Sequence, residues 1–195
     1  CLYNYTLIRI WTATDRCGNF ACCTQTVTVQ DTEDPVIEEC PEPFLQVECD
    51  NVPDRVDPIA HDNCTSDQEL LGLLEYTEVQ STHDCADCYT LTRTWTFYDH
   101  CGNSATCQQL IDVVDTTPPV VSGCPAPQIQ VECDNIPDPA QLQYTDNCDP
   151  APLFNYFEVR TNGPCDNTYM LTRTWTVVDR CDNETVCEQI IYVID

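Results

Sequence analysis

The 195 residues contain no lysine. All positive side-chain charge rests on seven arginines, against 33 aspartates and glutamates, for a net charge of −26. That imbalance excludes nucleic acid as a natural partner, because nothing here could neutralise a phosphate backbone. It also excludes lysine–asparagine isopeptide staples. No apolar run is long enough to span a membrane and no secretory signal is present, so targeting segments are expected in flanking sequence. Glycine is scarce, at five residues, and no segment carries a helical apolar stripe longer than about a turn. The only C-x-x-C, at Cys85 and Cys88, repeats its first cysteine elsewhere but not its second, which argues against a zinc or redox motif.

What is present is self-similarity. DCADCYTLTRTWTFYDHCGN (84–103) and CDNTYMLTRTWTVVDRCDN (165–183) are near copies, and CLYNYTLIRIWTATDRCGN (1–19) is a third. The marker cysteine recurs at Cys17, Cys101 and Cys181, with a period of about 80 residues typical of a small repeated module. The linkers VQDTEDPVIEECP (29–41) and VVDTTPPVVSGCP (113–125) also match, as do the segments LQVECDNVPD and IQVECDNIPD and the DNC loops at 62–64 and 146–148. The chain therefore reads as a truncated repeat at 1–31 and two whole repeats at 32–115 and 116–195, a window of a longer array.

A repeat of this size buries only a modest core and needs staples. Of the 17 cysteines, six recur in each whole repeat: Cys40, Cys49, Cys64, Cys85, Cys101 and Cys107, then Cys124, Cys133, Cys148, Cys165, Cys181 and Cys187. An even set per repeat reads as a disulfide framework in an oxidising, extracellular setting. Many connectivities are open, and spacing does not choose among them. Cys22 and Cys88 are extra, and bond to each other, to other partners or not at all.

Residues 89–98 alternate large residues with threonine, the period of a half-buried strand. Segments 107–114 and 187–194, FLQVEC, IQVEC, LLEYTEV and FNYFEV supply further strands. The fold expected is all-β: tandem immunoglobulin-like antiparallel β-sandwich domains stapled by disulfides. Trp11, Trp95 and Trp175 are core anchors, and Arg9, Arg93 and Arg173, two residues earlier on the same face, sit at the core rim against an aromatic ring or a carboxylate.

The linker D-x-x-x-P-x-x-x-x-CP, the DNC loop and YTLTRTWT-x-x-D-x-CGN-x-x-x-C closing on VVD resemble hyalin-repeat-like, immunoglobulin-like modules over the whole chain. The likeness is nearest to the cysteine-rich form in large Bacteroidota surface adhesins and filament proteins. CDNET at 181–185 departs from the CGN form, and no sorting domain is present. The resemblance implies bonds Cys40–Cys107 and Cys124–Cys187, with Cys23 bonded to a partner upstream. For the other cysteines the expectation is Cys64–Cys101, Cys148–Cys181, Cys49–Cys85 and Cys133–Cys165.

Calcium (Ca2+) is the expected ion, since it takes six to eight hard oxygens from Asp, Glu, Asn and carbonyl groups on loops. Two places offer them: the linkers, with Asp31, Asp34 and Asp115, and the DNC loop with the D-x-C-x-N turn. The second place gathers Asp62, Asn63, Asp99 and Asn103, and in the next repeat Asp146, Asn147, Asp179 and Asn183. The competing reading is that these residues only form Asx-turns. Asp115-Thr116-Thr117 resembles a short O-glycosylation motif at Thr116, and Asn4, Asn63 and Asn183 fit the N-glycan sequon. The histidines His61, His83 and His100 all fall in one repeat, and with Ser81 they make no repeated catalytic set, so no enzymatic activity is expected.

These observations read as a structural segment of an extracellular bacterial surface fibre or adhesin stalk, its partners being copies of itself or neighbouring repeats. The alternative is a module whose loops bind surface glycans or proteins. It would show in aromatics that do not repeat: Tyr98, Phe154, Tyr156 and Phe157.

Overall fold

Alternation along one strand sets each sandwich. In a computed structural model, which describes residues 1, 3–82, 85, 87–165 and 167–194, Leu91, Arg93, Trp95, Phe97 and Asp99 are buried while the intervening threonines are half-exposed. Leu171, Arg173, Trp175, Val177 and Asp179 repeat the pattern. Large side chains on one face and β-branched threonine on the other suit a sheet covered on one side. His83 lies outside the described residues.

The chain begins with a hairpin, β1 (Tyr5–Thr14) and β2 (Phe20–Val29). The second repeat follows with β3 (Val36–Ile37), β4 (Phe44–Glu48), β5 (Ala60–His61), α1 (Asp67–Gly72), β6 (Glu75–Thr82), β7 (Tyr89–Tyr98) and β8 (Ser104–Val114). The third contains β9 (Val120–Ser122), β10 (Gln128–Glu132), β11 (Gln143–Thr145), β12 (Leu153–Asn162), β13 (Tyr169–Val178) and β14 (Glu184–Ile194). Each whole repeat is a β-sandwich of one four-stranded and one two-stranded sheet. The large sheets run β4-β8-β7-β6 and β10-β14-β13-β12, and the small ones are β3-β5 and β9-β11. The sheets are not purely antiparallel: β10 lies parallel to β14, Gln128 opposite Ile190.

The chain forms two compact units. One comprises Cys1–Leu45, Asp54–Val79 and Leu91–Leu110, and the other Gln46–Pro53, Gln80–Thr90 and Ile111–Asp195. The core of the first gathers Ala60, Leu70, Trp95, Phe97 and Cys107, with Ile37, Leu74 and Tyr76 packed against them. In the second, Leu171, Ile191 and Val193 meet Ile129, Val131, Ile136 and Tyr169. Trp11 is 51% exposed, unlike Trp95 and Trp175. The residues that cover Trp95 precede it in the repeat, and the first hairpin has no such segment among these residues.

Helix α1 belongs to the second repeat alone. Ser66 begins it, its backbone N–H and hydroxyl both donating to Glu69 Oε2 at 3.1 and 2.6 Å, a local closure that stabilises a short helix start. Its Leu70 is fully buried in the cluster that contains Trp95. The third repeat passes from Cys148 to Tyr156 by a shorter route and has no helix there. Turns at Gly18 and Gly102 use φ of +87° and +90°. Asp182 takes the same place at φ +66°, so the non-glycine turn keeps the left-handed conformation, which Asp tolerates better than most residues.

The core-rim arginines pair with carboxylates, as expected. Arg93 Nε donates to Glu78 Oε2 at 2.8 Å and Arg173 Nε to Glu158 Oε2 at 2.7 Å. Tyr76 and Tyr156 hydroxyls donate to the same glutamates, and their rings lie 5.4 Å from Trp95 and Trp175. Arg173 first, then Tyr156, holds Glu158 below its ordinary value of 4.5. A carboxylate with a depressed folded value stabilises the fold above the unfolded value and loses that contribution as pH falls through the folded one. Glu158→Gln should therefore cost about 1–2 kcal/mol at pH 7, less than a fully buried pair because Glu158 is partly exposed. The deficit should shrink as pH drops below 4.5, as read by denaturant melts from pH 3 to 7; a pH-independent deficit would contradict the pairing.

Candidate functional site

Each compact unit contains one joint between consecutive repeats, and each joint is built from three loops. The linker aspartate precedes the first short strand, the DNC loop follows the second, and the D-x-C-x-N turn connects the two long central strands. In the first unit these deliver Asp31, Asp62 and Asp99, whose carboxylate oxygens lie within 4.8 Å of one another. The two calcium places read from the sequence are thus one place.

Local hydrogen bonding explains how like charges are held together. Asp62 Oδ1 accepts the N–H groups of Cys64 and Thr65 at 2.9 and 2.7 Å. Asp99 Oδ1 accepts those of Cys101 and Asn103 at 2.7 and 2.8 Å. Asn103 Nδ2 donates to Asp99 Oδ2 at 2.6 Å and reaches the Asp31 carbonyl at 3.5 Å. Asp31 accepts from Glu33 N–H and donates its own N–H to Asn4 Oδ1. The Asx-turn reading and the ion reading are therefore compatible, because a turn uses one carboxylate oxygen and leaves the other. Oδ2 of Asp31 and of Asp62 is buried with no hydrogen-bond partner, and Asp31 is only 6% exposed. A buried, unpaired carboxylate oxygen is costly unless a cation meets it.

The second unit repeats the turn bonding and brings Asp115 and Asp179 within 4.8 Å, with Asp146 near enough for its charge to act on Asp115. Asp146 Oδ1 accepts from Cys148 and Asp149 N–H, and Asp179 Oδ1 from Cys181 and Asn183 N–H. Asn183 Nδ2 bridges Asp179 Oδ2 and the Asp115 carbonyl at 2.8 and 3.2 Å. Again Oδ2 of Asp115 and of Asp146 is buried without a partner. Burial pushes Asp115 up to about 6, with further upward pressure from the charges of Asp179, Asp146 and Glu48 and opposition from the Thr117 N–H. At Asp99 burial also pushes up, but Asn103 and the backbone N–H groups outweigh it and the group lies below its usual value.

Not every expected residue reaches the cluster. Asp34 is exposed and accepts the Ser104 N–H at 3.2 Å. Asn103 and Asn183 brace the aspartates through their amide nitrogens. Glu48 was missed by sequence reasoning. It lies within 4.8 Å of Asp115 and Cys148 and accepts from the Thr116 N–H and hydroxyl. Its signal was the QVEC segment shared by both repeats, read only as a strand. Thr116 is exposed, with its hydroxyl bound to Glu48.

Five disulfides are present. Cys40–Cys107 and Cys124–Cys187 form within repeats, as the resemblance implied. The other expected pairings do not form. Cys101 bonds Cys1, Cys148 bonds Cys49 and Cys181 bonds Cys85. Cys64, Cys133 and Cys165 are free thiols, as are Cys17, Cys22, Cys23 and Cys88. Cys101, Cys148 and Cys181 each bond a cysteine of the preceding repeat across a joint and not the loop beside them. These bonds flank the acid clusters: Cys148 and Cys181 both lie against Asp115. Cys88 Sγ sits 3.5 Å from Cys181 Sγ, and burial pushes its thiol above the ordinary value.

The remaining sequence candidates are surface features. His61 Nδ1 lies 2.8 Å from Asp67 and His100 Nε2 3.5 Å from Glu69. Among the described residues neither histidine ring is hydrogen-bonded to a hydroxyl. Tyr144 and Phe154 stack at 5.6 Å beside a hollow of about 410 Å³ that Tyr156 and Trp175 also line. This hollow corresponds to the place that α1 fills in the second repeat. Among the described residues no helix is long and apolar enough to cross a membrane.

No family model matches the chain. Its structural neighbours are cadherin and immunoglobulin domains. It aligns with a protocadherin gammaB7 EC3-6 cis-dimer structure at 12% identity and TM-score 0.38, covering 99% of this chain and 60% of that one. Extracellular cadherin domains 3-6 of protocadherin gamma B2 align at 11% identity and TM-score 0.35, covering 100% and 59%. Sidekick-1 immunoglobulin domains 1-4 align at 10% identity and TM-score 0.33, covering 94% and 57%. The chain spans about three fifths of each of these structures. The disulfide-rich β-sandwich fold fits an extracellular protein.

Replacing Asp115 by Asn removes one repelled carboxylate from a metal-free joint. In chelator, D115N should melt a few degrees above the parent in a thermal scan; a lower melting temperature would mean the carboxylate is held by partners and not strained by its neighbours.

Proposed function

We propose that the chain is a structural stretch of an extracellular bacterial surface stalk or fibre, with calcium bound at each joint between repeats. The repeat boundaries after Asp31 and Asp115, and a Bacteroidota-type setting, are part of this reading. The observation that carries it is the close approach of linker and turn aspartates at both joints, joined by Asp62 in the first unit, with buried aspartate oxygens left unpaired at each. Linker, DNC-loop and turn aspartates would supply carboxylate oxygens, with Glu48 as a neighbour in the second unit and the Asn103 and Asn183 amides as braces. Hard, multiply charged oxygen clusters of this kind suit Ca2+ better than softer metals. An ion there would offset the repulsion and tie the linker to both loops, so each joint would bend less. The acidic surface keeps neighbouring stalks apart in solution, and Thr116 is an accessible position for a glycan.

Thermal unfolding of the oxidised chain in excess calcium, against chelator with magnesium and matched ionic strength as controls, tests this. Calcium binding to the folded state alone should raise Tm by about 5–10 °C. Asp31→Asn together with Asp115→Asn should abolish the rise while Asp34→Asn retains it. No calcium-specific shift would remove the ion from the proposal.

One observation favours a second reading, a glycan-binding role. The aromatic hollow of the third repeat is not repeated in the second, and a half-buried Tyr144 stacked on a partly exposed Phe154 suits a sugar face. If so, Phe154→Ala should abolish retention on a glycan array without lowering Tm by more than about 3 °C; an array with no hits for the parent chain would end this reading.

A further inference from the structure

The bonds at the joints follow one rule, and two cysteines of the third repeat are left without the partners that the rule assigns. Cys1, Cys85 and Cys165 hold the same place in their repeats, as do Cys17, Cys101 and Cys181. Cys1 bonds Cys101 and Cys85 bonds Cys181: each time, the cysteine before a central strand bonds the turn cysteine of the following repeat. Cys49 likewise bonds the following DNC-loop cysteine, Cys148. Moved on by one repeat, the rule leaves Cys133 and Cys165 each awaiting such a partner, and both are free and exposed. Moved back, it accounts for the free Cys17 and Cys64 as acceptors. Cys22 and Cys88 alone have no place in it beyond the upstream partner already assigned to Cys23.

A second observation concerns the surface around these two thiols. Glu48, Cys49, Cys85 and Asp87 are half-buried in the second unit, where the third repeat meets them. Their counterparts Glu132, Cys133, Cys165 and Asn167 are exposed. Beside Cys165 lies a mainly apolar hollow of about 460 Å³, walled in part by Pro164, Tyr169, Tyr192 and Ile194. Tyr192 is 42% exposed, whereas Asp112 at the corresponding place is half-buried and accepts a hydrogen bond from Gln46 at 2.9 Å.

We infer that this end of the third repeat is a covalent docking face. Its occupant is a further immunoglobulin-like repeat in tandem, one that presents a DNC-loop cysteine to Cys133 and a D-x-C-turn cysteine to Cys165. The inference rests on the reading of the chain as a repeat array but not on calcium. Each bond forms when two thiols give up two protons and two electrons to a disulfide oxidant, which leaves as two thiols. Closing both would make the same staple pair that Cys49–Cys148 and Cys85–Cys181 make in the preceding joint.

The test fuses a second copy of residues 116–195, carrying Cys133→Ser and Cys165→Ser so that the peptides of the host's Cys133 and Cys165 are unique, directly after residue 195 of the full chain, which keeps the linker order. The protein is oxidised with a glutathione redox buffer in chelator, alkylated, digested and mapped by mass spectrometry. The expected bonds are Cys133 to Cys148 of the added copy and Cys165 to Cys181 of the added copy, with alkylation of Cys133 and Cys165 lost relative to the parent. A Cys133–Cys165 bond, or both thiols still alkylated, overturns the inference. A dimer of the parent chain linked through Cys165 and Cys17 also overturns it, because the face would then take a second chain. Cys124–Cys187 in the same digest reports that the host repeat is folded. Loss of Cys49–Cys148 and Cys85–Cys181 would instead sink the array reading itself, so the two failures are distinguishable.

Discussion

Mutual repulsion of carboxylates is the constraint around which each joint is organised. Asp31, Asp62 and Asp99 would separate if free to do so, and Asp115, Asp146 and Asp179 likewise. They are kept close by backbone N–H groups that grip one oxygen of the loop and turn aspartates, by an asparagine that ties turn to linker, and by disulfides beside the cluster. The central strands matter to this mainly as rulers. Burial of Trp95 or Trp175 fixes the depth of the strand, and Asp99 or Asp179, four residues on, arrives at the joint on the same buried face.

The parts of the fold that depend on one strand at a time were legible in the sequence. Alternation about Trp95 and Trp175, the arginine–carboxylate pairing at the core rim and the absence of long helices all follow from local pattern and composition. Joint connectivity was not legible, because period and spacing say which residues are equivalent but not which repeat a side chain faces. Cys49 and Cys85 occupy the same end of a sandwich and look like natural partners, yet each reaches across the linker. The acid residues were found as two groups for the same reason: linker and loops are far apart in sequence and meet only once the short strands fold back. Glu48 stayed hidden inside a strand motif.

Small length differences decide what is otherwise common to the repeats. In the second, the segment after Cys64 is long enough for α1, and Leu70 fills the space near Trp95. In the third, the shorter connection leaves a hollow beside Trp175 bordered by stacked Tyr144 and Phe154. One scaffold position is thus a plugged core in one repeat and an open aromatic recess in the next. Tolerance of this sort is characteristic of loops on a fixed sheet.

The disulfide connectivity has a mechanical meaning. With Cys1–Cys101 and Cys85–Cys181 closed, the shortest covalent route from one end toward the other leaves the backbone at Cys1, re-enters at Cys101, runs back to Cys85 and crosses again to Cys181. Tension along the molecule therefore falls on residues 85–101, essentially β7, and on the bridging sulfur atoms. Apart from the residues after Cys181, the rest of the backbone hangs as unloaded slack between successive links. A pull would strain a short strand like one link of a chain, and only reduction of a bridge would let the stored contour length pay out.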